Sequence, residues 1–506
     1  LTGITGNIDT PGGNRSTTIV PIDGDLQGFS AWVPGASQPA PEVNEKQLGR
    51  TEFPVLGWWG NWADMNVTFT AMLTGEPYPV RALWNESGNF MCACNSTYAW
   101  DALNSLDFYV DLNLWHAPST DAADIILPVA HWIELSSPRA SQGSAGAMGA
   151  TVKCVEPPAE AMYDPEIVMK VYERMGVPWT NEEGNEWPDI NWQLADSIKL
   201  LSDDEYIKQY WTVENGQVVN VEQKGKPLAE LTPKYETWAD YVKAFQEHGW
   251  WQAKEIEPEM WGTYRRYQTG GFRGRDKLWA RLDCTAGPGI ADWKPGFFTP
   301  TMKQEIWSTV METYMPDHPE WVLPSWTEPP HGPKSDQAEE YPLTCTTGRR
   351  IPVYFHSEHR QLPWCRELWP VPRVEINPVT AAEYGIEQGD WVWIETPYGK
   401  IRECADLYYG VDRNTINCEH TWWYPEVQDS GHGFQLSQVN QLIDRNAQDP
   451  ICGTSNLRAY QVKIYKATPE NSPFNNPVPC DSNGVEIIHD ATDPRLKEWL
   501  PTYEGR

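Results

Sequence analysis

The stretch between residues 391 and 406 constrains the fold of this chain more than any other. Trp391-Val392-Trp393-Ile394-Glu395-Thr396 is a β-prone, alternating run, Pro397-Tyr398-Gly399-Lys400 supplies a turn, and Ile401-Arg402-Glu403-Cys404-Ala405-Asp406 follows as a second run. Together they predict a β-hairpin. Further short β-prone runs at 411–418 and 459–465 extend the hairpin toward a small barrel that closes its own edges. A barrel rim offers backbone donors and a few polar side chains to a ligand, although a β-domain with no ligand satisfies the same pattern.

The order of motifs around this hairpin is more specific. Thr346-Thr347-Gly348-Arg349 opens the stretch, then come Val374-Glu375-Ile376-Asn377-Pro378, Ala381-Ala382-Glu383-Tyr384-Gly385-Ile386 and Glu387-Gln388-Gly389-Asp390. Asp449-Pro450-Ile451-Cys452-Gly453 and Asn456-Leu457-Arg458 close it. This series resembles the C-terminal barrel of the molybdopterin oxidoreductases, the dimethyl sulfoxide reductase superfamily, in which a Thr-Gly-Arg turn and later polar residues hold a pyranopterin guanine dinucleotide. The resemblance implies a double-psi-like six-stranded β-barrel in which Thr347, Gly348, Arg349, His356, Asn440 and Arg458 bind the cofactor. Arg458 stands where the family commonly has a lysine, which keeps the charge and changes the donor geometry.

An α/β unit precedes the barrel. Tyr78-Pro79-Val80-Arg81-Ala82-Leu83-Trp84 reads as a buried strand ending at Asn85-Glu86-Ser87-Gly88-Asn89, residues 98–104 as a short helix, and Leu106-Asp107-Phe108-Tyr109-Val110 as a strand ending at Asp111. Strands alternating with helices imply a parallel sheet whose ligands lie beyond the carboxyl ends of the strands. Asn85 and Asp111 occupy two such ends. The family places an Asn-rich loop and an Asp at these points, ahead of an Ala-Asp-x-x-Leu-Pro signature that stands here as Ala123-Asp124-Ile125-Ile126-Leu127-Pro128. By that resemblance Asn85 and Asp111 contact the guanine dinucleotide; an ordinary loop cap is the plain alternative for Asn85. Glu134 is followed by Leu135-Ser136 where the family often has Lys-Glu-Gly, so no lysine contact carries over.

Composition narrows the partners. The 39 Lys and Arg against 70 Asp and Glu give a net charge of −31, which repels nucleic acid and anionic membrane surfaces. Ring-rich composition, with 28 Trp and 22 Tyr, supplies amphipathic surfaces for cores, interfaces or a flat substrate. The 10 cysteines include no C-x-x-C pair, so neither a zinc ribbon nor a cubane iron–sulfur cluster is encoded in these residues. No run of about eighteen apolar residues is present to span a membrane.

Several residues are candidates for chemistry. In His356-Ser357-Glu358-His359 a spacing of three would set both imidazoles on one helical face as metal ligands, yet no third ligand accompanies them in a recognised spacing. The resemblance instead makes His356 a pterin partner and places His359 and Arg360 near the substrate. His420, in Glu419-His420-Thr421-Trp422-Trp423, matches a family position where a strand ends in His-Trp; a packed strand end is the plain alternative. Gly270-Gly271-Phe272-Arg273-Gly274-Arg275 lacks a phosphate-loop lysine and reads as a flexible loop. Ser202-Asp203-Asp204-Glu205 and residues 237–245 read as a helix entry and an amphipathic helix.

The expected organisation is the end of an upstream α/β domain at 1–50, an α/β guanine-dinucleotide-binding domain at 51–200, an insertion at 201–335, the barrel at 336–470 and a tail at 471–506. Leu1-Thr2-Gly3-Ile4-Thr5-Gly6-Asn7 has neither the basic start nor the apolar centre of a signal peptide, and it resembles a segment well inside a family catalytic subunit. The resemblance therefore implies a missing N-terminal half carrying the metal ligand, any 4Fe-4S cluster and any twin-arginine export signal, so that a cytoplasmic and an exported location both stay open. The implied cofactor is bis(molybdopterin guanine dinucleotide) with molybdenum or tungsten, and the implied partners are that half, an iron–sulfur electron-transfer subunit and a small, aromatic substrate. Aromatic-rich, acidic residues and the insertion resemble the branch of pyrogallol transhydroxylase, acetylene hydratase and catechol dehydroxylases, pointing to anaerobic bacterial reductive dehydroxylation of a catechol-like ring. A molybdenum reductase or dehydrogenase for a sulfur, arsenic or other small substrate, and a scaffold that kept the fold without metal, are the alternatives.

Overall fold

The computed structural model describes residues 41–59, 63–86, 88–135, 137–140, 147–151, 153–177, 305–349, 351–427 and 429–472, together with Thr5 and short strands at 212–214, 217–219, 251–252, 280–281 and 294–295. The expected helices at 202–205 and 237–245, the glycine-rich loop at 270–275 and the opening motif beyond Thr5 lie outside them. Packing divides the chain into two compact units, one of 1–50, 54–62 and 128–325 and one of 51–53, 63–127 and 326–506. In the first unit, Ser137–Ala140, Ala147–Thr151 and Trp251–Gln252 form an antiparallel sheet. Its helix Asp164–Arg174 opens on Asp164 and Glu166 and ends on Arg174, charges that complement the helix dipole.

The second unit contains a three-stranded sheet in the order β1 (Ala82–Glu86), β2 (Phe108–Asn113), β3 (Ile125–Pro128). β1 and β2 run parallel with Asn85 opposite Asp111. Helix α1 (Met65–Thr74) starts where the Asp64 carboxylate accepts from the Val67 N–H and stops at Gly75, whose φ of 77° lets its N–H close on Ala71. Helix α2 (Ser96–Asn104) starts on Asn95, whose side chain accepts from Tyr98 N–H while its amide donates to the carbonyl of Ile443 at 3.0 Å. One side chain thus caps the helix and fastens it to the barrel. The first strand departs from expectation: it begins at Ala82, and of its five residues only Asn85 is buried. It has a strand neighbour on one side only among the described residues, so Trp84 keeps 39% of its surface exposed.

The barrel is closed and six-stranded. β4 (Leu343–Arg349), β5 (Arg373–Ile376), β6 (Trp391–Thr396), β7 (Gly399–Leu407), β8 (Thr415–Glu419) and β9 (Tyr460–Lys466) succeed one another around it in the order β4-β8-β5-β7-β6-β9. β6 and β7 are the expected hairpin, paired from Trp391 opposite Cys404 to Thr396 opposite Gly399. β4 and β8 run parallel, as do β5 and β7, and β9 lies antiparallel to both β4 and β6. Val374, Ile376, Val392, Ile394, Ile401, Ile416, Val462 and Ile464 point inward and are buried; each contributes about 1.5–3 kcal/mol by leaving water. Gly399 is required at the hairpin turn, because a Cβ there would collide with the Gln441 carbonyl oxygen. Helix α3 (Pro363–Leu368) precedes β5, and α4 (Pro378–Glu383) follows it, capped by Asn377 accepting from Val379 N–H.

Candidate cofactor-binding site

The carboxyl ends of the parallel strands β4 and β8 gather most of the candidate residues. Thr347 lies opposite Cys418 and Arg349 opposite Glu419, so the ladder skips Gly348 and opens a bulge there. The Thr347 hydroxyl donates to the Leu457 carbonyl at 2.7 Å. A Cβ added to Gly348 would meet nothing nearer than a guanidinium nitrogen of Arg458, at 3.9 Å. An exposed arginine therefore stands beside an exposed, side-chain-free turn. That donor set suits the anionic tail of a dinucleotide, to which glycine permits close backbone approach.

Next to this turn, at the end of β8, is a polar group built on buried Arg360. Its guanidinium donates to the carbonyls of His356, Glu358 (3.0 Å) and His420 (3.4 Å), and one nitrogen lies 3.7 Å from the Glu419 carboxylate. The His356 and His420 rings meet at 3.2 Å between Nδ1 and Nε2. Tyr354 and Trp422 lie against the Arg360 cation, with ring centroids 4.3 and 5.1 Å away. Burial opposes the charge of Arg360 and lowers its pKa, while Glu419 supports it. Glu419 also accepts from the Trp369 indole at 2.9 Å and the Arg373 N–H at 3.2 Å.

Cys92 adjoins the same cation. Burial pushes its thiol up to about 12 against the pull of Arg360, so it stays protonated. Gln438 donates to its sulfur at 3.6 Å and Asn440 to its carbonyl at 2.9 Å, which brings Asn440 into this constellation. The helical arrangement that a spacing of three would give His356 and His359 does not form. Both residues have left-handed backbones, φ 47° and 74°, in a run of turns, so no helical face carries the pair. His359 instead presents its ring to the edge of Trp115, 6.2 Å away between centroids.

Asn85 and Asp111 meet as cross-strand neighbours. The Asn85 amide donates to one Asp111 oxygen at 2.7 Å and the Thr120 hydroxyl to the other at 2.7 Å, and the carboxylate is completely buried. The signature that follows holds the sheet: Asp124 accepts from the Tyr109 N–H at 2.7 Å and returns its own N–H to the Tyr109 carbonyl at 2.9 Å.

Two groupings were invisible in the sequence. Arg366, fully buried, makes a forked pair with Glu426 at 2.7 and 3.0 Å. Asp121 lies between His116 and His432, at 2.5 and 3.5 Å. Partial burial of Asp121 opposes its ionisation, but bonds from His116, His432 and the Gly431 N–H prevail and hold the carboxyl well below its usual range. Asp121 in turn raises the pKa of His432, with burial opposing. Neither group is marked locally, since Arg366 and Glu426 lie 60 positions apart and His432 lies far along the chain from His116 and Asp121.

Comparison with known proteins agrees with this architecture. Residues 343–460 match the family described as the Molydopterin dinucleotide binding domain. The whole chain is 76% identical, over 507 aligned residues, to dopamine dehydroxylase of Eggerthella lenta, of which it covers 50%. It is 25% identical over 436 residues to acetylene hydratase of Syntrophotalea acetylenica, covering 84% of this chain and 49% of that protein. The chain thus spans about half the length of these curated relatives. The solved structure of acetylene hydratase from Pelobacter acetylenicus superposes with a TM-score of 0.62 at 22% identity, over 86% of this chain and 55% of the other, and shares the fold. The closed six-stranded barrel is thus a molydopterin dinucleotide-binding domain, in a chain that is similar along its whole length to one half of dopamine dehydroxylase.

Proposed function

We propose that this chain is the C-terminal part of a bis(molybdopterin guanine dinucleotide) enzyme, containing molybdenum or tungsten, that reductively removes a hydroxyl from a catechol-like ring. The observation that carries the proposal is the 76% identity to dopamine dehydroxylase along the full length of the chain. The other half of the catalytic subunit and an iron–sulfur electron-transfer subunit are the proposed partners. The division at residues 50, 200, 335 and 470 belongs to the same proposal.

The residues present fit the cofactor's tail. Thr347, Gly348, Arg349 and Arg458 would hold it at the end of β4, and the Asn85–Asp111 pair would take the guanine edge, with Asp111 orienting the Asn85 amide. Bound there, the cofactor supplies two-electron redox chemistry at its metal. The chain's own contribution is positioning and electrostatics. Buried Arg360 keeps a positive charge beside His356 and His420, and a proton shared across the His356–His420 contact would be available to a substrate hydroxyl bound beside it. His359, next to Trp115, is proposed to lie near the substrate.

Co-expression with the preceding half of the enzyme, followed by assay of molybdenum, tungsten and released guanine nucleotide, tests the cofactor. A reduced-dye assay comparing catechols with sulfoxides, arsenate and acetylene tests the reaction. Catechol-dependent dye oxidation is expected. A metal-loaded enzyme that turns over only the other substrates overturns the dehydroxylase reading, and a folded complex without either metal favours the scaffold.

A further inference from the structure

We propose that His116, Asp121 and His432 form a binding site for a zinc-class divalent cation, one that clips the loop after β2 to the segment between β8 and β9. The three side chains are distinct from the Arg360 group, and the proposal stands independently of the proposed function.

The ligand atoms of these three side chains all lie within 4.8 Å of one another. Zinc binds imidazole nitrogen and carboxylate oxygen at about 2.0–2.2 Å, which sets tetrahedral ligand atoms about 3.3 Å apart. Asp121 Oδ1 is 2.5 Å from His116 Nε2 and 3.5 Å from His432 Nε2, values on either side of that spacing. A small outward movement of His116, whose side chain is 47% exposed, is enough to admit the ion.

The surroundings are arranged as those of a ligand set commonly are. His432 Nδ1 engages the Val427 carbonyl at 2.9 Å, so Nε2, which faces Asp121, is the nitrogen that would give up its proton to a cation. The Gly431 N–H occupies Asp121 Oδ2 at 2.6 Å, so Oδ1 is the oxygen turned to the two rings. His432 is held in place by a left-handed backbone, φ 50°, and by Trp423, 5.6 Å away between ring centroids. Two nitrogens and one oxygen, with the exposed side at His116 leaving room for water, suit zinc and its borderline neighbours rather than calcium or magnesium, which take oxygen.

The test uses the full chain, stripped with chelator and titrated with zinc sulfate against a chromophoric competitor, with bound zinc counted by mass spectrometry separately from molybdenum. His116→Ala alters a half-exposed side chain, and His432→Gln provides a second variant; near-UV circular dichroism checks that each is folded. One zinc equivalent present in the parent and absent from both variants, with affinity at least tenfold weaker, is expected, together with loss of the visible absorption of a cobalt-substituted parent. Unchanged stoichiometry and affinity in the two folded variants, or a parent that binds no zinc, overturns the proposal and leaves a hydrogen-bonded clip only.

Discussion

Asn85 and Asp111 stand opposite each other on two parallel strands, and the amide of the first donates to the carboxylate of the second at 2.7 Å, out of reach of solvent. Asp111 is a structural keystone of the sheet whatever it does for a ligand. Asp111→Ala strands the Asn85 and Thr120 donors and is expected to destabilise the unit by about 1.5–3 kcal/mol in denaturant unfolding. A double-mutant cycle with Asn85→Ala checks the pairing: losses that add to within about 0.5 kcal/mol would contradict it.

Arg458 offers the cleaner probe of the cofactor tail, because it is exposed and its removal leaves the barrel core untouched. Arg458→Ala is expected to lower guanine nucleotide retention by about tenfold or more, the worth of one charge-assisted bond, with an unaltered melting temperature. Equal retention in parent and variant removes Arg458 from the site.

Arg360 combines the carbonyls of three loop residues, a carboxylate and two aromatic faces. Arg360→Ala leaves Glu419 buried without its cation, and a loss of about 3–5 kcal/mol is expected. Lysine cannot reproduce the fork, so Arg360→Lys should recover little of that stability. Full recovery by lysine would mean that only the charge matters.

Glu395 provides a pH signature. Its partial burial opposes ionisation, but the Tyr465 hydroxyl at 2.6 Å and Lys463 at 3.1 Å prevail and depress its pKa. A depressed carboxyl contributes stability that is complete above the unfolded value, about 4.3, and is lost as pH falls through the folded one. The parent's melting temperature should therefore drop more steeply than that of Glu395→Gln below about pH 4. Parallel pH profiles would refute the pairing between β6 and β9.

The hairpin of β6 and β7 was legible because its alternation and turn are local, and the barrel because each remaining strand is a short run bounded by turn residues. The family's motifs located Gly348 and Arg458 near one another although the chain between them is long. What stayed hidden depended on tertiary placement. The exposure of β1 follows from its position in the sheet, which its apolar composition does not record. His356 and His359 look like a helical pair by spacing, yet their left-handed backbones turn them to different neighbours. Asp121 and Gly431 meet across 310 positions, a relationship that only the folded barrel creates.

Closure of the barrel carries a consequence for biosynthesis. β9, beginning at Tyr460, must lie against both β4 and β6 before either of those two strands loses its open edge. On the ribosome, β4 emerges more than a hundred residues earlier and waits with unpaired backbone groups, the condition in which nascent chains associate wrongly. The turn at Gly348 and its neighbour Arg458 are brought together only when that final strand arrives, so a chain truncated before residue 460 would accumulate as an open sheet with half a binding rim. Completion of the rim at Gly348 and Arg458 thus waits on synthesis through β9, a checkpoint written into strand order.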